Sequence, residues 1–365
     1  MMIREEAQSD LAIPPGEYLE EVISELGMTK KELAERMNRP APKLSAIFTG
    51  AKAIQPDTAL QLEKVVGVPA HIWTGLEAEY RLILARQEAE REIQLPSEER
   101  SLVTKYCYAE LTNLGLVSKK TRSTDKVLEL QKFFGVMSLR DIPKLKRYQV
   151  AFRTGGGGKR KRAPETVAAW LRIGELQAQK TALAPFEKDV FEKLLPTLRR
   201  MTRQSPEVFE TNLQKILAEV GVALVLCPHL PNTYAHGATF WLHSKKAVLM
   251  LTLRGAWADI FWFSLFHEIG HLLLHDRRTV FLEEDDGNTL FRTMEEEADM
   301  FAAETLIQAD EYRQFVEAGA FYPADIRRFA KRLEIDTGIV VGRLQYEGHL
   351  EKSWHNDLRT RYGWR

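Results

Sequence analysis

The 365-residue chain sets 51 lysines and arginines against 51 aspartates and glutamates. That length predicts two or three domains with separate cores. The even balance excludes a molecule drawn as a whole to polyanions, so any nucleic-acid surface has to be local. Two cysteines, Cys107 and Cys227, exclude a disulfide scaffold and a cysteine zinc knuckle. The opening MMIREEAQSD lacks a signal peptide's apolar core, and the apolar run 260–274 is short and broken by His267, Glu268 and His271. A cytoplasmic protein with no membrane partner is expected.

In chain order, residues 17–26 carry apolar side chains at helical spacing, and Thr29-Lys30-Lys31-Glu32 reads as a capping box ahead of Leu33, Ala34 and Met37. Asn38-Arg39-Pro40 breaks that helix. A second begins with Pro42 in its first turn, buries Leu44, Ile47 and Phe48 and stops at Thr49-Gly50, which makes a helix-turn-helix unit. Two further helices, 55–66 and 69–94, complete an all-helical head over residues 1–95. Residues 96–204 read as a helical, basic middle region whose Gly155-Gly156-Gly157-Gly158 stretch predicts a mobile loop. Residues 205–365 open with a helix, a β-rich run 221–227 and a hairpin of strands 238–243 and 247–253. The fold class is α+β, mostly helical, with a small sheet packed on the helix that follows.

That helix contains His267-Glu268-Ile269-Gly270-His271. Residues four apart share a helical face, so both imidazoles address one ion with Glu268 beside them, the zincin arrangement. Buried histidine and glutamate among Phe263, Phe266, Ile269, Leu272 and Leu273 need partners, and a catalytic zinc takes a third protein ligand while keeping one position open. On the helix around 294–304, Glu295, Ala298, Asp299, Ala302 and Leu306 form one stripe whose alanines permit close approach. Glu295 is therefore the predicted third ligand, and Asp299 the acceptor of a ligating histidine's free ring N–H. Glu296 and Glu297 point to other faces and read as a solvated acidic edge. His275 reads as a cation at a helix C-terminus and not as a ligand. Zn2+, with Mn2+ as another divalent choice, and Glu268 as general base amount to peptide-bond hydrolysis. The strand 247–253 or its hairpin partner is a candidate for pairing with an extended substrate, and Tyr234, His236 and His243 are weaker candidates for an oxyanion donor.

These motifs, together with Gly338-Ile339-Val340-Val341-Gly342-Arg343-Leu344-Gln345, resemble the ImmA/IrrE metallopeptidases in their long form with an Xre-type helix-turn-helix. The head, with Pro15-Gly16-Glu17-Tyr18-Leu19 and Leu33-Ala34-Glu35-Arg36-Met37, resembles HigA-type antitoxins. The resemblance implies a cytoplasmic protease that cuts an Xre-type repressor or antitoxin and so releases stress-response or mobile-element genes. It matches His267, His271 and Glu295 to the family's ligands and Glu268 to its base. One departure is Thr305-Leu306-Ile307-Gln308-Ala309, where many relatives carry a proline, which leaves the end of that helix open.

For nucleic acid, residues 27–55 hold Lys30, Lys31, Arg36, Arg39, Lys43 and Lys52 against Glu32 and Glu35. Arg39, Lys43, Ser45 and Lys52 are the candidate DNA contacts, although the recognition surface is poor in base-reading side chains. Residues 119–162 carry fourteen lysines and arginines against Asp125, Glu129 and Asp141, an excess of eleven, and Phe133, Phe134, Tyr148 and Phe152 interleave as base-stacking candidates. The acidic 283–288 reads as a solvated connector, and 326–338 as a second helix-turn-helix shape that packs the protease. The favoured expectation is a zinc endopeptidase coupled to a DNA-binding head, with a homodimer left open. The rival is a HigA-like regulator or antitoxin whose peptidase fold is a non-catalytic scaffold.

Overall fold

A computed structural model of the chain describes residues 11–92, 97–153, 163–252, 257–275, 281–282 and 289–362. The glycine-rich stretch 155–162 and the acidic connector 283–288 lie outside the described residues. The chain divides into two compact units, Met1–Leu95 and Pro96–Arg365.

The head is built from α1 (Pro15–Glu25), α2 (Lys30–Arg36), α3 (Ala41–Phe48), α4 (Pro56–Val66) and α5 (Ala70–Glu92). Thr29 caps α2 by accepting the Glu32 N–H at 3.1 Å. Between α2 and α3 the chain turns through Asn38, whose φ of 50° is tolerated by an asparagine better than by most residues. Leu19, Leu33, Leu44, Ile47, Leu62 and Trp73 are buried together in one core. Gly16 lets α1 begin against the end of α3, since a Cβ there would collide with the backbone of Ile47 and Phe48. The long α5 is tied in by Glu77, buried at 7% exposure, which accepts the Ile54 N–H at 3.0 Å and pairs with Arg81 at 2.7 Å.

The second unit starts with α6 (Ser97–Lys105), α7 (Tyr108–Asn113), α8 (Ser123–Phe134), a 3-10 turn at Leu139–Lys144 and α9 (Gln149–Arg153). There follow α10 (Pro164–Lys180), α11 (Lys188–Arg200), α12 (Pro206–Glu219), β1 (Val222–Cys227), β2 (Gly237–His243) and β3 (Lys246–Thr252). The chain continues with α13 (Ala258–Leu274), β4 (Phe281–Leu282), α14 (Thr289–Leu306), α15 (Ala309–Glu317), α16 (Pro323–Leu333) and α17 (Thr337–Tyr346). Sheet order is β1-β3-β2-β4, with β1 parallel to β3 and β2 antiparallel to both its neighbours. The expected middle region and peptidase region thus share one compact unit. Packing explains this: α10 lies so close to the sheet that a Cβ on Gly174 would overlap the Met250 side chain on β3. Glu175 on the same helix holds Arg172 at 2.6 Å, Arg147 at 2.9 Å and the Tyr148 hydroxyl at 2.8 Å.

Two expectations are corrected here. Strand β3 is not an edge, because β1 and β2 occupy both of its sides, so it has no free hydrogen-bonding row for a substrate. Among the described residues, strand β2 pairs with β4 at Ala238 and Thr239. Phe133, Phe134 and Tyr148 are core residues at 6%, 3% and 3% exposure. Phe134 packs edge-on against Phe133 and Tyr148, so these rings are committed to the fold and do not stack on bases.

Candidate metal centre

The wall of α13 is apolar on nearly every side: Phe261, Trp262, Leu265, Phe266, Ile269, Leu272 and Leu273 are all buried. A helix wrapped this way holds its polar side chains in fixed rotamers. Its partner α14 comes unusually close because small residues meet at the crossing. A Cβ on Gly270 would lie 3.2 Å from the Ala298 Cα, and Ala298 and Ala302 are fully buried. One turn before Ala298, the same stripe carries Glu295 over the two histidines.

The geometry is tight. His267 Nε2 and His271 Nε2 are 3.0 Å apart, and Glu295 reaches them at 3.2 Å and 3.4 Å. One ligand atom from each of the three lies within 4.8 Å of the others. A tetrahedral zinc with bonds of about 2.0–2.1 Å separates its ligand atoms by about 3.3 Å, so the spacing and the nitrogen/oxygen donor set fit that ion. His267 Nδ1, on the far side of its ring, meets Asp299 Oδ1 at 2.8 Å. The sequence therefore brought together His267, His271, Glu295 and Asp299 in one cluster.

Charge in the metal-free cluster follows from these contacts. Burial opposes a cation on His267, but Asp299 and Glu295 on its two nitrogens and the nearby Glu268 charge outweigh it and lift the group to about 10. Burial likewise opposes a charged Glu295, yet the two imidazoles hold its carboxyl down at about 2. His271 shifts the other way, lowered first by burial, with the His267 charge beside it adding to that against the raising effect of the Glu295 carboxylate.

Glu268 is 2% exposed. It abuts the first residue of β2, where a Cβ on Gly237 would fall onto its carboxylate at Oε1. Gly237 is a site residue that sequence reasoning missed. Nothing in a strand's alternation marks which glycine faces a carboxylate from another element. His275 and Glu297 were also read differently. His275 Nδ1 meets His271 Nδ1 at 2.9 Å, and its Nε2 meets Glu297 Oε2 at 3.0 Å, so neither is merely a helix-end cation or a solvated edge. The signal was present, since His271 and His275 are again four residues apart. Of the oxyanion candidates, Tyr234 donates to Asn232 Oδ1 at 3.2 Å, and His236 directly precedes Gly237. His243 closes β2 six residues beyond Gly237, about 20 Å along the strand at about 3.3 Å per residue.

In the head, Lys43 and Ser45 on α3 and Lys52 after it are exposed. Arg39 is not available to DNA as expected. Its guanidinium binds Asp57 at 2.5 Å and Gln61 at 2.6 Å on α4, so it ties the turn between α2 and α3 to α4.

Among known proteins, residues 232–345 match the IrrE N-terminal-like domain model, Peptidase_M78. The chain is 31% identical over 90 residues to an uncharacterized HTH-type transcriptional regulator of Escherichia coli, YddM, covering 25% of this chain and 90% of that protein. It is 32% identical over 78 residues to virulence-associated protein I of Dichelobacter nodosus, covering 21% of this chain and 72% of that protein. A solved addiction-module antidote protein of the HigA family from Coxiella burnetii is 33% identical, covering 23% of this chain and 91% of that one, with a TM-score of 0.21. The chain therefore joins a C-terminal region that matches the IrrE N-terminal-like Peptidase_M78 domain to an N-terminal helix-turn-helix head of the transcriptional-regulator kind.

Proposed function

We propose that the protein is a zinc-dependent endopeptidase that cuts a transcriptional repressor or antitoxin at a specific site, coupled to DNA binding through its head. The observation that carries this reading is the convergence of His267 Nε2, His271 Nε2 and the Glu295 carboxylate beside a buried glutamate. These three residues hold the ion, and Asp299 fixes the ring of His267 through Nδ1. The ion, when bound, polarises the scissile carbonyl and lowers the pKa of water. Glu268, pressed against Gly237, takes the proton of the attacking water and passes it to the leaving amine.

DNA enters through Lys43, Ser45 and Lys52. The basic region 119–162 contributes, in this reading, through phosphate contacts alone. A second reading, a HigA-like regulator with a non-catalytic peptidase scaffold, is favoured by one observation. The His267 and His271 side chains are only 6% and 0% exposed, which leaves a substrate little access. Co-expression with an Xre-type repressor encoded alongside, with and without Glu268→Gln, separates the two. The endopeptidase reading expects repressor fragments with the wild type and intact repressor with the variant. Intact repressor in both supports the scaffold.

A further inference from the structure

We infer that His275 and Glu297 form a hydrogen-bonded relay that positions His271 and sets its tautomer for metal binding. The inference rests on the metal-centre reading above and assigns a role to two residues outside the ligand set.

Hydrogen-bond directionality carries the argument. A histidine that gives its Nε2 lone pair to a metal carries its remaining proton on Nδ1. At His271 that Nδ1 lies 2.9 Å from His275 Nδ1. Of two facing ring nitrogens, one donates and one accepts, so His275 Nδ1 accepts and bears no proton. Its own proton then sits on Nε2, which faces Glu297 Oε2 at 3.0 Å. Glu297, an acceptor when ionised, ends the chain. A doubly protonated His275 is excluded in the loaded protein, because two N–H groups would then confront each other across 2.9 Å.

The two ligating histidines are thereby oriented unequally. A carboxylate holds His267 directly through Asp299, whereas His271 is held through an intervening imidazole. The His275 side chain is 3% exposed and Glu297 is 48% exposed, so solvent screens the carboxylate and His275 bears most of the effect. His275 is the residue that ends α13 and Glu297 lies on α14, so the relay also ties the end of α13 to α14 beside the ligands.

The test is ring-nitrogen NMR on the full-length, zinc-loaded protein with labelled histidine, which reports tautomers without reference to activity. Expected are a proton on Nδ1 of His271 and a neutral His275 protonated on Nε2. His275→Gln should weaken zinc binding, measured by chelator competition, by about 10- to 100-fold, and Glu297→Gln by less than about tenfold. A proton on Nδ1 of His275, or unchanged zinc affinity in His275→Gln, overturns the relay while leaving the metal centre standing. Failure of the wild type to bind zinc, or binding without His267 and His271 Nε2, overturns both.

Discussion

The head and the unit that carries the candidate metal centre place their candidate functional side chains in opposite ways. In the head, the candidate contacts Lys43, Ser45 and Lys52 are exposed, outside the core of Leu33, Leu44 and Ile47. In the second unit the candidate residues are inside. His267, Glu268 and His271 are exposed by 5%, 2% and 2%, and each is held by residues from α14 or β2. A surface site tolerates substitution around it, whereas a buried one depends on neighbours that have no chemistry of their own. Perturbations of the two regions should therefore differ in size and in kind.

The largest effect expected is from Glu268→Gln, which keeps the shape of the side chain but removes the base. Repressor cleavage should fall by about 10²- to 10⁴-fold while zinc content, read by elemental analysis, stays the same. Gly237→Ala tests whether a residue with no functional group matters as much. Its Cβ displaces the Glu268 carboxylate, and a misplacement of about 1 Å costs about 10²-fold in rate. Ala298→Leu overfills the crossing of α13 and α14, where the close contact is to Gly270. A stability loss of about 1–3 kcal/mol and weakened zinc binding are expected, with DNA affinity of the head unaltered; a matching loss of DNA binding would erase the contrast between the regions.

Acidity gives a fourth test. The raised value of His267 means that its ion pair stabilises the metal-free protein fully below about 6.5 and that this stabilisation is lost as pH rises through about 10. Glu295, depressed to about 2, contributes above about 4.5 and loses that contribution as pH falls toward 2. A metal needs the His267 lone pair. Near pH 7–8, zinc uptake should release about one proton, and affinity should rise with pH toward 10. Titration calorimetry in buffers of different ionisation enthalpy measures that proton. The smallest effects belong to the head. Lys43→Ala should lower DNA affinity and reduce the salt slope by about one. Arg39→Ala should lower the melting temperature of the head and leave that slope unchanged, because its guanidinium is spent on Asp57 and Gln61.

What was legible in the sequence had a short period. The helices of the head, the α13 and α14 pair and the stripe Glu295, Ala298, Asp299 and Ala302 all follow from 3.6-residue spacing, and so does the carboxylate on His267. The hairpin of β2 and β3 was readable from two β-rich runs on either side of Ser244-Lys245-Lys246. What remained hidden depends on pairs distant in sequence. That β3 is the middle strand depends on β1 lying parallel to it, a pairing no local pattern encodes. That Phe133, Phe134 and Tyr148 are core, and that Arg39 ties the α2–α3 turn to α4, depends on which charged and aromatic faces meet α10 and α4. Gly237 became visible only once β2 was placed against α13.

The central claim is that Glu268 works beside a metal held by His267, His271 and Glu295 to hydrolyse a peptide bond. Its most direct test is intact-mass spectrometry of purified Xre-type repressor after incubation with the zinc-loaded wild type and with Glu268→Gln. Two fragments whose masses sum to the repressor plus one water, formed by the wild type alone, are predicted. An uncut repressor with the zinc-loaded wild type, or the same fragments from Glu268→Gln, contradicts it.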